Sequence, residues 1–127
     1  MEWHFDDNMP IYTQLVYQIK FAIVSGELFP GERMAGVRDL AADAGVNPNT
    51  MQRALQQLER EGLVFTQRSS GRFITEDTAV IGEAKRTLAR QHIEQFMASM
   101  KKLGYTREEI IALLESGEEE DKNGSML

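Results

Sequence analysis

Asn49, Thr50, Gln52, Arg53 and Gln56 are spaced to share the outward side of one helix, away from the apolar positions Met51, Ala54, Leu55 and Leu58. Amide and guanidinium groups suit the base edges of a DNA major groove: Asn and Gln match adenine, and Arg matches guanine. A merely solvated helix face ordinarily mixes Glu, Lys and Arg, yet from Ala44 to Leu58 there is no acid, and Arg53 is the one base. A second acid-free window, Gly62 to Thr75, contains Arg68 and Arg72, each expected to neutralise a phosphate. Both windows lie in a chain whose net charge is −6, a total that by itself argues against nucleic acid. Much of that charge is displaced to residues 115–127, where five carboxylates face only Lys122 for a net of −4.

Other chemistries are excluded by what the 127 residues hold. Without cysteine there is no disulfide, thiolate nucleophile or cysteine-based zinc site. His4 and His92 are too far apart in sequence to suggest a shared metal, and His92 near Glu94 reads as a surface or interface histidine. No pair of carboxylates stands beside a base or nucleophile, so no catalytic residue, metal ligand or cofactor is expected. No run approaches the roughly 18 to 20 apolar residues of a membrane span. Residues 1–7 are acidic and unlike a signal peptide, which leads to the expectation of a cytoplasmic protein.

The elements that must position the polar face follow from periodicity and punctuation. A first helix opens at Pro10, carries Ile11, Leu15, Ile19, Ala22 and Ile23 inward, and stops at Gly26. Trp3 and Phe5 before it are expected to seal one end of the core. Residues 27–36, with Pro30, Gly31 and Gly36, read as a connector. A short helix spans Val37 to Ala44, with Arg38 at its start. Gly45 and Val46 then make a tight turn, and Asn47 and Pro48 open a helix that runs to about Glu61. After Gly62 the period becomes two: Leu63–Thr66 and Arg72–Thr75 read as strands around a Gln67–Gly71 turn. Helix, turn, helix and hairpin make a winged helix-turn-helix.

From Thr78 the helical period returns up to Gly104. Thr106 and Glu109 then fit a capping box for a short last helix carrying Ile110, Ile111, Leu113 and Leu114. Two helices cannot cover both of their own apolar stripes, so a homodimer is expected, with Ile81, Leu88, Ile93, Phe96, Met100, Leu103, Ile110 and Leu114 at its interface. The fold expected is mainly α with a small β-hairpin: a winged helix-turn-helix DNA-binding domain over residues 1–75, two dimerisation helices over 76–114, and an acidic disordered tail over 115–127.

Residues 10–74 resemble the GntR family of bacterial transcription regulators. The motifs are Pro10-Ile11-Tyr12-x-Gln14-Leu15, Gly26-Glu27-Leu28-x-Pro30-Gly31, Val37-Arg38-Asp39-Leu40-Ala41, Gly45-Val46-Asn47-Pro48-Asn49-Thr50-x-x-Arg53-Ala54 and Leu58-Glu59-x-Glu61-Gly62-Leu63. The two C-terminal helices, in place of a large effector domain, resemble the YtrA subfamily, whose members dimerise through them and often repress operons that include transporter genes. The resemblance implies DNA contacts at Arg38, at Asn47, Asn49, Thr50, Gln52 and Arg53, and along the wing at Arg68, Ser69, Ser70, Gly71 and Arg72. Two departures stand out. Met34-Ala35-Gly36 replaces the usual Leu-Pro-Ser, which removes a serine cap, and Gln67-Arg68-Ser69-Ser70-Gly71-Arg72 replaces the usual Arg-Arg-Gly-x-Gly-Thr. The implied function is a sequence-specific, double-stranded DNA-binding regulator, a homodimeric repressor on an inverted-repeat operator. The rival is a winged-helix module that binds protein, and such a module has no need of two acid-free windows. No motif names a small-molecule effector; if there is one, its expected place is between the C-terminal helices and the DNA-binding domain.

Overall fold

The computed structural model describes residues 1–124, with side chains through residue 117. It divides into two compact units, residues 1–88 and the residues from 89 onward. The first therefore extends past the boundary expected at residue 75.

The first unit holds α1 (Ile11–Val24), α2 (Val37–Ala44), α3 (Pro48–Arg60), β1 (Val64–Gln67), β2 (Gly71–Ile74) and the opening turns of α4 (Thr78–Lys102). Its core is the stripe that the helical period predicts. Leu15, Ile19 and Ile23 of α1 meet Met51, Leu55 and Leu58 of α3, closed by Leu63, Val64 and Ile74 of the hairpin region. Each such side chain contributes roughly 1.5–3 kcal/mol by leaving water, the main source of this unit's stability. Trp3 and Phe5 pack on the edge of this core as expected. So do Val80, Ile81 and Ala84, which explains why the unit continues into α4.

The turn between α2 and α3 depends on Gly45. Its φ of +71° is left-handed, and there Gly45 N–H reaches the Ala42 carbonyl and Val46 N–H the Ala41 carbonyl. A side chain at this position would cost roughly 1–2 kcal/mol. Asn47 then caps α3: its Oδ1 accepts from the Asn49 N–H at 2.8 Å. At α2 the capping residue is Gly36, and no side chain caps the helix, in line with the missing serine.

The connector does more than connect. Arg33 bridges Phe73 in antiparallel fashion, with Met34 N–H on the Arg72 carbonyl at 2.8 Å and Ile74 N–H on the Glu32 carbonyl at 2.8 Å. Residues 31–34 thus line β2 along the edge that β1 leaves open. The N-terminal arm is fixed by two glutamines one turn apart on α1. Gln14 bonds the Asp6 N–H and the Asp6 and Met9 carbonyls, while Gln18 bonds both backbone groups of His4.

The second unit contains the rest of α4 and α5 (Arg107–Gly124). Thr106 and Glu109 form the capping box, Glu109 N–H to Thr106 Oγ1 at 3.2 Å and Thr106 N–H to Glu109 Oε1 at 3.0 Å. These bonds from Thr106 hold the Glu109 carboxyl below the usual glutamate range. The tail expected to be disordered from residue 115 is instead helical up to Gly124. An interior glycine such as Gly117 costs only about 1 kcal/mol, and the glutamates around it are good helix formers. Residues 125–127 of that expected tail lie outside the described residues.

Of the eight residues expected at a dimer interface, three already have cover within the chain itself. Leu88 and Ile110 are buried within the single chain, 5% and 1% exposed, and Ile81 packs against the first unit's core. Ile93, Phe96, Leu103 and Leu114 remain 42–72% exposed, and Met100 is half-buried. Periodicity marks a stripe as apolar, but it cannot say which part of that stripe the chain covers itself.

Candidate nucleic-acid interface

Helix α3 presents a buried face, two flanks and an outer ridge. Met51, Ala54, Leu55 and Leu58 are buried. One flank is tied to the hairpin through Glu59, whose Oε1 accepts from Arg72 Nε at 2.8 Å and from the Thr66 hydroxyl. The other flank is tied to α1: the Tyr12 hydroxyl donates to Gln57 Oε1 at 3.4 Å, and the Arg53 guanidinium lies 4.4 Å from the centre of the Tyr12 ring. Gln57 continues the network to Glu61, which pairs with Lys20 of α1 at 2.6 Å. The helix is therefore held on both sides, and the ridge between carries Asn49, Gln52, Arg53 and Gln56 at intervals of three and four residues. Asn49, Arg53 and Gln56 are exposed; Gln52 and Thr50 are half-buried.

This arrangement suits groove reading. A rigid helix holds its donors and acceptors at fixed positions, and the ridge has no carboxylate to repel phosphate. The cation–π contact stacks the Arg53 guanidinium, which limits its motion and keeps its N–H groups on the outer face. Asn47 is placed differently from a free contact residue: its side-chain oxygen serves as the α3 cap, so its amide NH2 is what remains for DNA. Arg38, the second residue of α2, is exposed and has no acid partner among the described residues.

The hairpin pairs Val64 with Ile74 through to Gln67 with Gly71. Its tip turns through Arg68, Ser69 and Ser70, with the Ser70 N–H on the Gln67 carbonyl at 3.0 Å. Ser69 has φ +68°, alone among the described non-glycine residues in the left-handed region. The family's usual glycine would sit there at no steric cost. Arg68 is exposed at this tip. Arg72 differs from the expectation of a free phosphate ligand: its Nε is engaged by Glu59, and only 17% of its side chain is exposed. Burial pushes the Glu59 carboxyl up, but the Thr66 and Arg72 bonds and the Arg72 charge outweigh this and hold it below the usual range. The pair braces the hairpin against the recognition helix.

Two residues escaped the sequence reading. Arg33 lies across the hairpin: a Cβ on Gly71 would stand 3.2 Å from Arg33 Nε, and Gly71 has φ +108°. Arg33 is exposed, so it adds a cation beside Arg68 and Arg72. No local signal reveals it, because its place depends on the 33–73 bridge. Tyr12 is the other; it stood inside a recognised motif but had no assigned role.

Comparison with known proteins agrees with this geometry. The family model "Bacterial regulatory proteins, gntR family" matches residues 11–74. An uncharacterised HTH-type transcriptional regulator of Bacillus subtilis, YhcF, is 41% identical over 111 residues, covering 87% of this chain and 92% of that protein. The HTH-type transcriptional repressor YtrA of the same organism is 32% identical over 122 residues, covering 90% and 94%. Among solved structures, a GntR family transcriptional regulator from Listeria monocytogenes superposes with a TM-score of 0.81 at 40% identity, covering 88% of this chain and 98% of that one.

Proposed function

This chain belongs to the gntR family of bacterial regulatory proteins, DNA-binding transcription regulators, and we propose that it is a homodimeric repressor that acts in the cytoplasm on an inverted-repeat operator. The observation that carries the reading is the α3 ridge, uncharged apart from Arg53 and braced on both flanks, with Arg38, Arg68 and Arg33 free of acid partners around it. The α3 ridge reads bases; Arg38 and the wing hold phosphates. The apolar residues left exposed on the second unit support pairing of two chains, which brings two recognition helices to two half-sites. Repression rests on likeness to a relative named as a repressor, YtrA, and an operon that includes transporter genes rests on the resemblance of the two C-terminal helices to the YtrA subfamily. No described helix is long and apolar enough to cross a membrane.

Selection of bound fragments from sheared genomic DNA, followed by titration of the enriched site at several salt concentrations, tests the reading. An inverted repeat should emerge, and log affinity should fall linearly with log salt, by about 0.9 per phosphate neutralised. Enrichment of no sequence, or affinity indifferent to salt, overturns it and favours a protein-binding winged helix.

A further inference from the structure

A cavity of about 390 Å³ lies wholly within the first unit, away from the α3 ridge. Its walls are Trp3, Ile19, Leu28, Met34 and Leu40, an apolar floor with one indole. Its polar side chains are all carboxylates: Glu32, Asp39 and Asp43 line it, no lysine, arginine or histidine does, and Met1, which carries the terminal ammonium, stands at the same wall, so the carboxylates outnumber the cation. Among the described residues none of the three forms an ion pair; Glu32 Oε1 accepts the Phe29 N–H at 3.1 Å, and Asp43 Oδ2 accepts from Trp3 Nε1 at 2.9 Å. The wall is fixed as well as acidic. Trp3 is held by that bond, by stacking on Phe5 at 6.1 Å between ring centres, and by the Gln18 clamp on the adjacent His4.

We infer that this cavity is an effector site for an organic cation with an apolar body, an alkyl or aryl ammonium. The volume falls in the range of small-molecule pockets. An apolar body removes the floor from water, the indole attracts a cation, and unpaired carboxylates neutralise it. A neutral ligand would gain nothing from the three carboxylates, and an anion would be repelled by them. Asp39 and Asp43 lie on α2, and Asp39 directly follows Arg38, so a cation seated there acts on the helix that carries a DNA-backbone anchor. The effector role rests on the DNA-binding reading above; occupancy of the site does not.

Trp3 is the single tryptophan, so its fluorescence reports the site directly. The probes are 4-phenylbutylammonium, 4-phenylbutan-1-ol and 4-phenylbutyrate, which share a skeleton and differ in charge. In the absence of DNA, the ammonium should give a saturable change, the alcohol should bind at least fivefold more weakly, and the carboxylate should give none. Asp39→Asn with Asp43→Asn keeps an acceptor for Trp3 Nε1 and should weaken the ammonium about tenfold while far-ultraviolet circular dichroism stays unchanged. Equal responses to all three probes, no response to the ammonium, or full affinity in the folded double variant overturns the site. Saturating ammonium should then change affinity for the selected operator at least threefold, and operator should change ammonium affinity by the same factor, as linkage requires. Binding of the ammonium with operator affinity unchanged overturns the effector role and leaves the DNA-binding reading intact.

Discussion

The two units solve the problem of apolar surface in opposite ways. In the first, three helices and a hairpin enclose Leu15, Ile19, Met51, Leu55 and Leu58 completely. In the second, Ile110 is enclosed, but Ile93, Phe96, Leu103 and Leu114 face solvent. A helix pair has too little surface to cover two stripes, whereas a three-helix unit with a hairpin can close on itself. The contrast separates a part that closes on its own apolar core from a part that leaves an apolar face open.

The largest expected effect comes from breaking the open face. Phe96→Asp with Leu103→Asp should give a monomer by sedimentation and weaken specific operator binding by roughly 10²–10⁴-fold, because the second half-site is no longer contacted intramolecularly. A monomeric variant that binds the full operator normally would separate pairing from function. The closed core gives the complementary test. Leu55→Ala should cost about 2–5 kcal/mol in denaturant unfolding at any protein concentration. Leu114→Ala should instead have an effect that grows on dilution, as stability tied to association does.

Within the first unit, Arg53→Ala should cost roughly 1–3 kcal/mol on the preferred base at one operator position and much less on other sequences. Arg68→Ala should weaken all sequences alike and lower the salt slope by about one. Arg72→Ala should lower wing order instead, because Glu59 holds its Nε. Competition titrations against cognate and random DNA distinguish these outcomes. Ser69→Gly should raise stability by roughly 0.5–1 kcal/mol, since it removes a left-handed serine while adding some freedom to the unfolded chain. Thermal unfolding would show it as a rise of a few degrees.

The smallest effect concerns Glu59. Its carboxyl titrates lower when folded than when unfolded, so the stability it contributes is fully present above the ordinary glutamate value of ~4.3 and is lost as pH falls through the lower folded value. The ¹H–¹⁵N signal of Arg72 Nε should stay dispersed above that range and collapse below it. Glu59→Gln should abolish the transition; a transition unchanged in that variant would assign it to another group.

Most of the first unit was legible in the sequence because its signals are local. The Gly45 turn, the Asn47 cap, the α3 stripe and the polar ridge opposite it all depend on residues within one or two helical turns. The hairpin was legible too, shifted by one residue, from a change of period and a turn-forming run. The wing's charge chemistry was not, since Arg72 meets Glu59 across 13 positions and Arg33 meets the hairpin across 40. Nor was the end of α5, where helix-forming glutamates carry the helix past an interior glycine in a segment whose acidity suggested a disordered tail.

By itself, then, the sequence determined the order of elements, the helix-turn-helix and the acid-free ridge of amides around Arg53, because caps, turns and periodicity act over a few residues. Tertiary structure decided which cations remain free, which apolar residues the chain covers itself and where a cavity opens. Those outcomes depend on which distant segments come into contact, and the same arginine is a phosphate ligand or a brace according to whether a carboxylate from another element reaches it first.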